Sequence, residues 1–400
     1  MHVEELKEII PTRKIMVVGD VMLDEYLWGH VRGISPEAPV PIVEIRQQTY
    51  ALGGAGNVAT NLASLGSNVW LAGVVGADTH AAKIFELFSQ SPRISMHLYP
   101  CQDRPTTTKT RILAHSQQVL RTDREERHYI PAEAEANILT CVKERLDSLH
   151  ACVLSDYAKG VLTDNLLSTL ITLCNEAQIP IIVDPKGHRY SRYRGATVVT
   201  PNVAEANLAA GNDEGDMTLE QVADHLQSEI GDGALLITRG PRGLSLFQHG
   251  SPPTHIPAQA RNIYDVTGAG DTVVAVLALM LSTGLDIENA ARLANYAAGV
   301  VVGKVGTASV SLEELVPAFC TGTLHRTRKI ANLDSGNLTP DYLNHRAHPK
   351  GSAHRMQRRH PWQQYLRVNI EVAQLNHSQA SLPDERKQGL YLTLSVDHAW

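Results

Sequence analysis

One unit keeps returning along this chain and constrains its fold most: a short, unbroken apolar run that stops at a polar or glycine-containing turn and gives way to a helical pattern. Ile15-Met16-Val17-Val18 runs into Gly19-Asp20, Val153-Leu154 into Ser155-Asp156, and Ile181-Ile182-Val183 into Asp184-Pro185. Val198-Val199 likewise meets Thr200-Pro201-Asn202, and Leu235-Leu236-Ile237 meets Thr238-Arg239-Gly240. A strand that is apolar without alternation needs cover on both faces. Such strands separated by helices predict an α/β fold: a central, mostly parallel sheet with helices on both faces. Ligands of these sheets bind beyond the carboxyl ends of the strands, so the polar residues just named are expected to converge on one rim.

Two segments break the rhythm. Residues 26–50, with Ile34-Ser35-Pro36-Glu37-Ala38-Pro39-Val40-Pro41, are extended and punctuated by proline, which suits edge strands. Residues 105–123, with Thr106-Thr107-Thr108-Lys109-Thr110-Arg111-Ile112, alternate at the period of a strand. Together they predict a small β layer standing off the main sheet.

Composition narrows the class of protein. Of 400 residues, 43% are hydrophobic and 20% charged, ordinary for a soluble globular chain, and the net charge of -6 argues against a nucleic-acid binder. The five cysteines lack a C-x-x-C pair, so neither a zinc site nor a disulfide framework is expected, and a reducing cytoplasm fits best. The N-terminus lacks the basic and apolar regions of a signal peptide, and no apolar run reaches the roughly 18 residues of a bilayer span. No membrane partner is expected.

The richest chemistry lies in Asp265-Val266-Thr267-Gly268-Ala269-Gly270-Asp271, followed by the apolar run Thr272 to Leu281. Glycines around an alanine permit a tight turn whose N–H groups point one way, and the run behind predicts a buried helix. A helix N-terminus gathers unpaired N–H donors and the positive end of the dipole, which suits an anion such as a phosphoryl group acquiring charge. Asp271 enters the helix where the anion turn ends, placed to take a proton from an attacking hydroxyl. On spacing alone the same residues read equally as a glycine turn before a helix, with an aspartate favoured there by the dipole.

D-V-T-G-A-G-D resembles the signature of the ribokinase (PfkB-type) family of sugar kinases. Gly53-Gly54-Ala55-Gly56-Asn57 resembles that family's first glycine signature, and the likeness covers roughly residues 10–318. It implies a ribokinase-like fold, with the β layer as a lid over the sugar and a homodimer interface. It implies ATP and Mg²⁺ as cofactors, Asp271 as catalytic base, and an anion hole from the amides of Gly268, Ala269 and Gly270. Asp24, Gly53, Gly54 and Asn57 would face the sugar. Lys109 and Arg111 would hold a phosphate already on the substrate, although with Arg121 they read by residue type as a solvated strand face. Asn202-Val203-Ala204-Glu205 matches the family's N-x-x-E element, implying that Glu205 reaches Mg²⁺ through water. Lys186, Thr238, Gly240 and Gly243 end neighbouring strands and would line the nucleotide. Asn295 would border the adenine, or is simply a helix-surface residue. Residues 34–41, 155–162 and 265–278 further resemble the branch of the family that phosphorylates D-glycero-β-D-manno-heptose 7-phosphate at its anomeric hydroxyl, a step toward ADP-heptose and the lipopolysaccharide core. Kinases of other sugar phosphates or of nucleosides, and an inactive relative, are the competing readings.

Two patterns compete with this assignment. Gly54-Ala55-Gly56-Asn57-Val58-Ala59 fits a dinucleotide fingerprint with Asp78 downstream, as in an NAD-dependent oxidoreductase, but it does not follow the first strand. Gly299 to Lys304 is one residue short of a P-loop and no Ser or Thr follows the lysine. Residues 319–400 form a polar tail rich in His, Arg and Gln, where His345-Arg346-Ala347-His348 lacks the glycine of a nucleotidyltransferase H-x-G-H motif. The tail reads as an unstructured appendage or the remainder of a second domain.

Overall fold

The computed structural model describes residues 3–115, 117–259, 263–304 and 308–320. The chain opens with α1 (Val3–Ile9), β1 (Lys14–Gly19), β2 (Val21–Ile34) and β3 (Pro41–Gly54). It continues through α2 (Ala55–Ser64), β4 (Asn68–Gly76), α3 (Thr79–Ser89), β5 (Ile94–Cys101), β6 (Thr107–Ala114) and β7 (Gln117–Arg124). Next come α4 (Ala132–Lys143), β8 (Ala151–Ser155), α5 (Asp164–Glu176), β9 (Ile181–Asp184), β10 (Val198–Val199), α6 (Val203–Ala209), α7 (Leu219–Ile230) and β11 (Ala234–Thr238). The last elements are β12 (Leu244–Phe247), β13 (Thr254–Ile256), α8 (Ala269–Ser282), α9 (Ile287–Val301) and α10 (Leu312–Cys320).

Nine strands form the main sheet in the order β13-β12-β11-β10-β9-β8-β1-β4-β5. From β11 to β5 every pairing is parallel, and β12 and β13 add an antiparallel edge. The five apolar runs of the sequence are its β1, β8, β9, β10 and β11. Successive residues of β1 point to opposite sides: Ile15 and Val17 join the core under α2, α8 and α9, while Met16 and Val18 join the core under α4, α5 and α7. Two-sided burial is why these runs show no alternation.

At the centre of the first core lies α8, buried at every residue from Asp271 to Met280. Its cap, Gly268, has φ +78°, a left-handed conformation that glycine adopts without steric cost. The helix stops at Ser282, before Gly284 at φ +82°.

The expected β layer is a second sheet of four strands, in the order β3-β2-β6-β7. β2 and β3 are buried where they leave the main body and exposed toward their far ends, and β7 is exposed along its whole length. These elements belong to one compact unit. The polar tail from residue 321, including His345 to His348, lies outside the described residues.

Candidate active site

The carboxyl ends of β1, β8 and β9 bring Asp20, Asp156 and Asp184 to the rim, and the N-terminus of α8 meets them there. Asp271 is buried in the first turn of α8, and both its oxygens accept hydrogen bonds. Asn57 Nδ2 donates to Oδ2 at 2.6 Å and the Tyr157 hydroxyl donates to Oδ1 at 2.8 Å. Burial pushes the Asp271 carboxyl up to about 6, with the nearby Asp24 charge adding to the rise and the two donors opposing it. A carboxylate with raised proton affinity in a polar rim is what a general base needs to work near neutral pH.

Before Asp271 the chain turns tightly. Thr267 N–H donates to Asp265 Oδ1 at 2.9 Å, and Ala269 N–H donates to Val266 O at 3.2 Å. The Ala269 amide is thus engaged inside the turn. Gly270 and Asp271 occupy helix positions whose N–H groups have no acceptor within the helix, and Gly270 is exposed.

Gly53 and Gly54 close β3 and lead into α2. A Cβ on Gly53 would stand 2.7 Å from Asp24 Oδ2, and one on Gly54, at φ +56°, 2.4 Å from Asp20 O. No side chain fits at either position. Asn57, the third residue of α2, is held by a second asparagine: Asn61 Nδ2 donates to Asn57 O at 3.0 Å and to Asn57 Oδ1 at 3.2 Å. The Thr272 hydroxyl in turn donates to Asn61 Oδ1 at 3.1 Å. This order of donors leaves the Asn57 amide nitrogen for Asp271.

On the lid, Asp24 stands opposite Lys109 and Tyr26 opposite Arg111 in the β2–β6 pair, and Arg111 Nη1 reaches diagonally to bond Asp24 Oδ1 at 2.5 Å. The Arg111 guanidinium also stacks over Tyr26, 5.2 Å from the ring centre. Lys109 pairs with Asp123 at 3.3 Å and Glu125 at 3.7 Å, and Arg121 bonds Asp123 at 2.9 Å. Each expected phosphate-binding cation of the lid thus has a carboxylate beside it.

Along the sheet, Asn202 caps α6. Its Oδ1 accepts Glu205 N–H at 2.9 Å, and Glu205 Oε2 accepts Asn202 N–H at 3.0 Å, a reciprocal capping box. Glu205 Oε1 accepts from Lys186 Nζ at 2.6 Å. Val203 is half-buried and Ala204 exposed in the same turn. Thr238 ends β11 in a parallel bridge to Asn202. Gly240 and Gly243, at φ +57° and +83°, make the turn into β12, where a Cβ on Gly243 would stand 2.0 Å from Ile256 O. Asn295 is buried in α9 and donates to Pro257 O at 2.8 Å, which removes the helix-surface reading. Asp184 is pushed well above the usual carboxylate range by burial first and then by the Asp271 and Glu205 charges.

The competing glycine patterns serve the fold. The glycines at 53–56 follow an antiparallel lid strand, and Asp78 caps α3 while accepting from Thr106 at 2.7 and 3.0 Å. Lys304 donates to Ser309 O at 2.7 Å and Glu314 Oε2 at 2.8 Å, tying the end of α9 to α10. The sequence reading gave no site role to Tyr157 or Asp20. Both sit in strand-terminal turns at the rim, Asp20 after β1 and Tyr157 after β8, and Tyr157 also lies in the 155–162 stretch that resembles the family branch.

Comparison with known proteins adds an independent line. The pfkB family carbohydrate kinase model matches residues 12–315. Bifunctional protein HldE of Trichlorobacter lovleyi is 43% identical over 331 residues, covering 82% of this chain and 67% of that protein. The HldE of Citrifermentans bemidjiense is 44% identical over 334 residues, covering 83% and 69%, and that of Geobacter sulfurreducens 44% over 320, covering 80% and 65%. The chain spans about two thirds of the length of these relatives. Among solved structures, the Arabidopsis thaliana ribokinase complexed with ribose and ATP matches at TM-score 0.60 and 19% identity, covering 77% of this chain and 98% of that one. The Thermotoga maritima ribokinase matches at TM-score 0.62 and 19% identity, covering 78% and 100%. These structures establish the ribokinase-like fold.

Proposed function

Because this chain belongs to the pfkB family of carbohydrate kinases, we propose that it transfers the γ-phosphoryl group of ATP to the anomeric hydroxyl of D-glycero-β-D-manno-heptose 7-phosphate. Its product is the 1,7-bisphosphate, an early intermediate of ADP-heptose and lipopolysaccharide core synthesis. The observation that carries the reading is Asp271: a buried carboxylate with raised proton affinity, held by two donors at the N-terminus of a buried helix.

Asp271 takes the proton of the attacking hydroxyl, and the amides of the glycine turn stabilise the charge that develops on the phosphoryl group. Since the Ala269 N–H is engaged with Val266 O, that task rests chiefly on Gly270 and its neighbours. Asp24, Gly53, Gly54 and Asn57 shape the sugar side. Arg111 and Lys109 hold the distal phosphate by exchanging their carboxylate partners for it, a trade suited to guanidinium and ammonium groups. Asn202, Val203, Ala204, Lys186, Thr238, Gly240, Gly243 and Asn295 line the nucleotide side.

No group of three or more His, Cys, Asp or Glu residues forms a metal cage among the described residues. Mg²⁺ keeps its waters and binds through few carboxylates and substrate phosphates. Glu205, whose oxygens already accept from Lys186 and Asn202, would reach the ion through water, and Asp184 stands where a cation would offset crowded negative charge. Bound there, Mg²⁺ supplies charge neutralisation on the phosphates.

Four buried free thiols, Cys101, Cys141, Cys152 and Cys174, support placement in the reducing cytoplasm. No helix among the described residues is long and apolar enough to cross a membrane.

The test is ADP release by the purified chain with Mg-ATP and the heptose 7-phosphate, beside fructose 6-phosphate, ribose and adenosine. Turnover with the heptose alone is expected. Turnover only with another acceptor overturns the substrate, and silence with all four overturns the activity.

A further inference from the structure

We infer that Tyr157 is a positioning residue for Asp271: its hydroxyl, delivered by a loop that two buried carboxylates hold in place, sets the direction in which the base presents its remaining lone pairs. The inference rests on the reading of Asp271 as the base. Tyr157 and Asn57 each donate to one oxygen of Asp271, at 2.8 and 2.6 Å. A carboxylate offers about four acceptor positions, so two donors fix its plane and leave room for the substrate hydroxyl.

The loop that carries Tyr157 is pinned more tightly than a connection requires. The N–H groups of Tyr157, Lys159 and Val161 all donate to the Asp20 carboxylate, at 2.8, 3.1 and 3.2 Å. Ala158 sits at φ +54°, a left-handed conformation unfavourable for a residue with a Cβ, and its N–H donates to Asp156 Oδ1 at 2.8 Å. At Gly160 a Cβ would stand 1.9 Å from His128 O. From the far side, buried Arg104 donates to Lys159 O at 2.9 Å. Strain held by surrounding contacts is a mark of a functional constraint, and here the constrained product is the place of one phenol.

Asp24 on β2 is the charged group that raises Asp271, while Asp271 and then Glu205 on α6 raise Asp184 at the end of β9. Burial first, and then the Asp271, Asp184 and Glu205 carboxylates, hold the Tyr157 phenol far above its usual range, so it remains a donor at every working pH. A donor to a carboxylate favours its ionised form, and removing that donor raises its proton affinity.

The experiment is Tyr157→Phe in the full chain, assayed with Mg-ATP and D-glycero-β-D-manno-heptose 7-phosphate beside Asp271→Asn and the double variant. Expected is a loss of kcat of about ten- to a hundred-fold, the range of a hydrogen bond to a charged group, with KM for both substrates within about twofold. The acidic limb of the kcat/KM profile moves to higher pH. The double variant is no slower than Asp271→Asn, because Tyr157 acts through the base. An unchanged kcat with an unmoved limb, or a change in KM alone, overturns the inference while leaving Asp271 as base. Near-normal turnover by Asp271→Asn overturns both. If Tyr157→Phe does not fold, 3-fluorotyrosine at position 157 strengthens the donor and moves the limb to lower pH, and an unmoved limb then overturns the inference.

Discussion

As the proposed base, Asp271 carries two opposing demands. It must be ionised to accept a proton, yet burial favours its neutral form and lifts its carboxyl to about 6. The sign follows directly: above about 6 the base is available, and as pH falls through that value it is titrated away. The kcat/KM of the wild type is therefore expected to fall about tenfold per pH unit on the acidic side of about 6, and Asp271→Asn to lose turnover by roughly a hundred- to ten-thousand-fold at pH 7.5. Nucleotide-induced thermal stabilisation should survive in Asp271→Asn, since the side chains proposed to line the nucleotide belong to other elements; loss of that stabilisation would mean that the residue holds the fold or the nucleotide rather than the proton. Asp271 was legible in the sequence because helix-end physics and a glycine turn are local signals. Tyr157 was not: its partner Asp271 lies 114 residues along the chain, and only the packing of α8 against β8 and β9 brings the two to one rim.

At the scale of elements, α8 joins a helix that must be buried to an N-terminus that must stay open. Residues Asp271 to Met280 are buried, while Gly270 is exposed, and a Cβ built there meets nothing within 4 Å. Its backbone needs no positive φ, so alanine fits the fold, and a helix gains about 0.5–1 kcal/mol from that exchange. If the open space is where the phosphoryl group approaches, Gly270→Ala is expected to keep or slightly raise the melting temperature while lowering kcat at least about tenfold. Unchanged kcat would remove the turn from the catalytic machinery. The same contrast explains which strands the sequence revealed. β1, β8, β9, β10 and β11 are buried on both faces and read as unbroken apolar runs. β4 went unread because Gly73 interrupts it, where a Cβ would stand 2.7 Å from Gly19 O, β5 because it is half-exposed, β12 because Ser245 breaks its apolar run, and β13 because two of its three residues, Thr254 and His255, are polar.

For the folded kinase unit as a whole, seven of the twelve exposed large hydrophobic residues among the described ones gather on one layer, while Ile263, Tyr264 and Val266 stand before the glycine turn and Tyr129 and Leu208 elsewhere. Val31, Ile34, Val40, Ile42, Ile45, Val119 and Leu120 all stand at least 40% exposed, and all belong to the four-stranded lid or the turn between β2 and β3. A strand layer with apolar side chains in water and open edges at β3 and β7 is costly in a monomer and invites pairing. This is the physical content behind the homodimer that family resemblance implied, a reading the sequence supported only through proline-spaced extended segments. The same strands carry Arg111, Lys109 and Asp24, so the proposed interface and the proposed sugar side share one sheet. Light scattering is expected to give twice the chain mass for the wild type and a monomer for Ile34→Glu with Leu120→Glu. The monomer should bind sugar more weakly, through a loosened lid, while its KM for ATP stays near the wild-type value, because Asn202, Glu205 and Thr238 lie on the main sheet and its helices. A monomeric wild type, or a double variant that remains dimeric, would place the interface elsewhere. A monomeric variant with unaltered sugar KM would separate assembly from the lid's catalytic role.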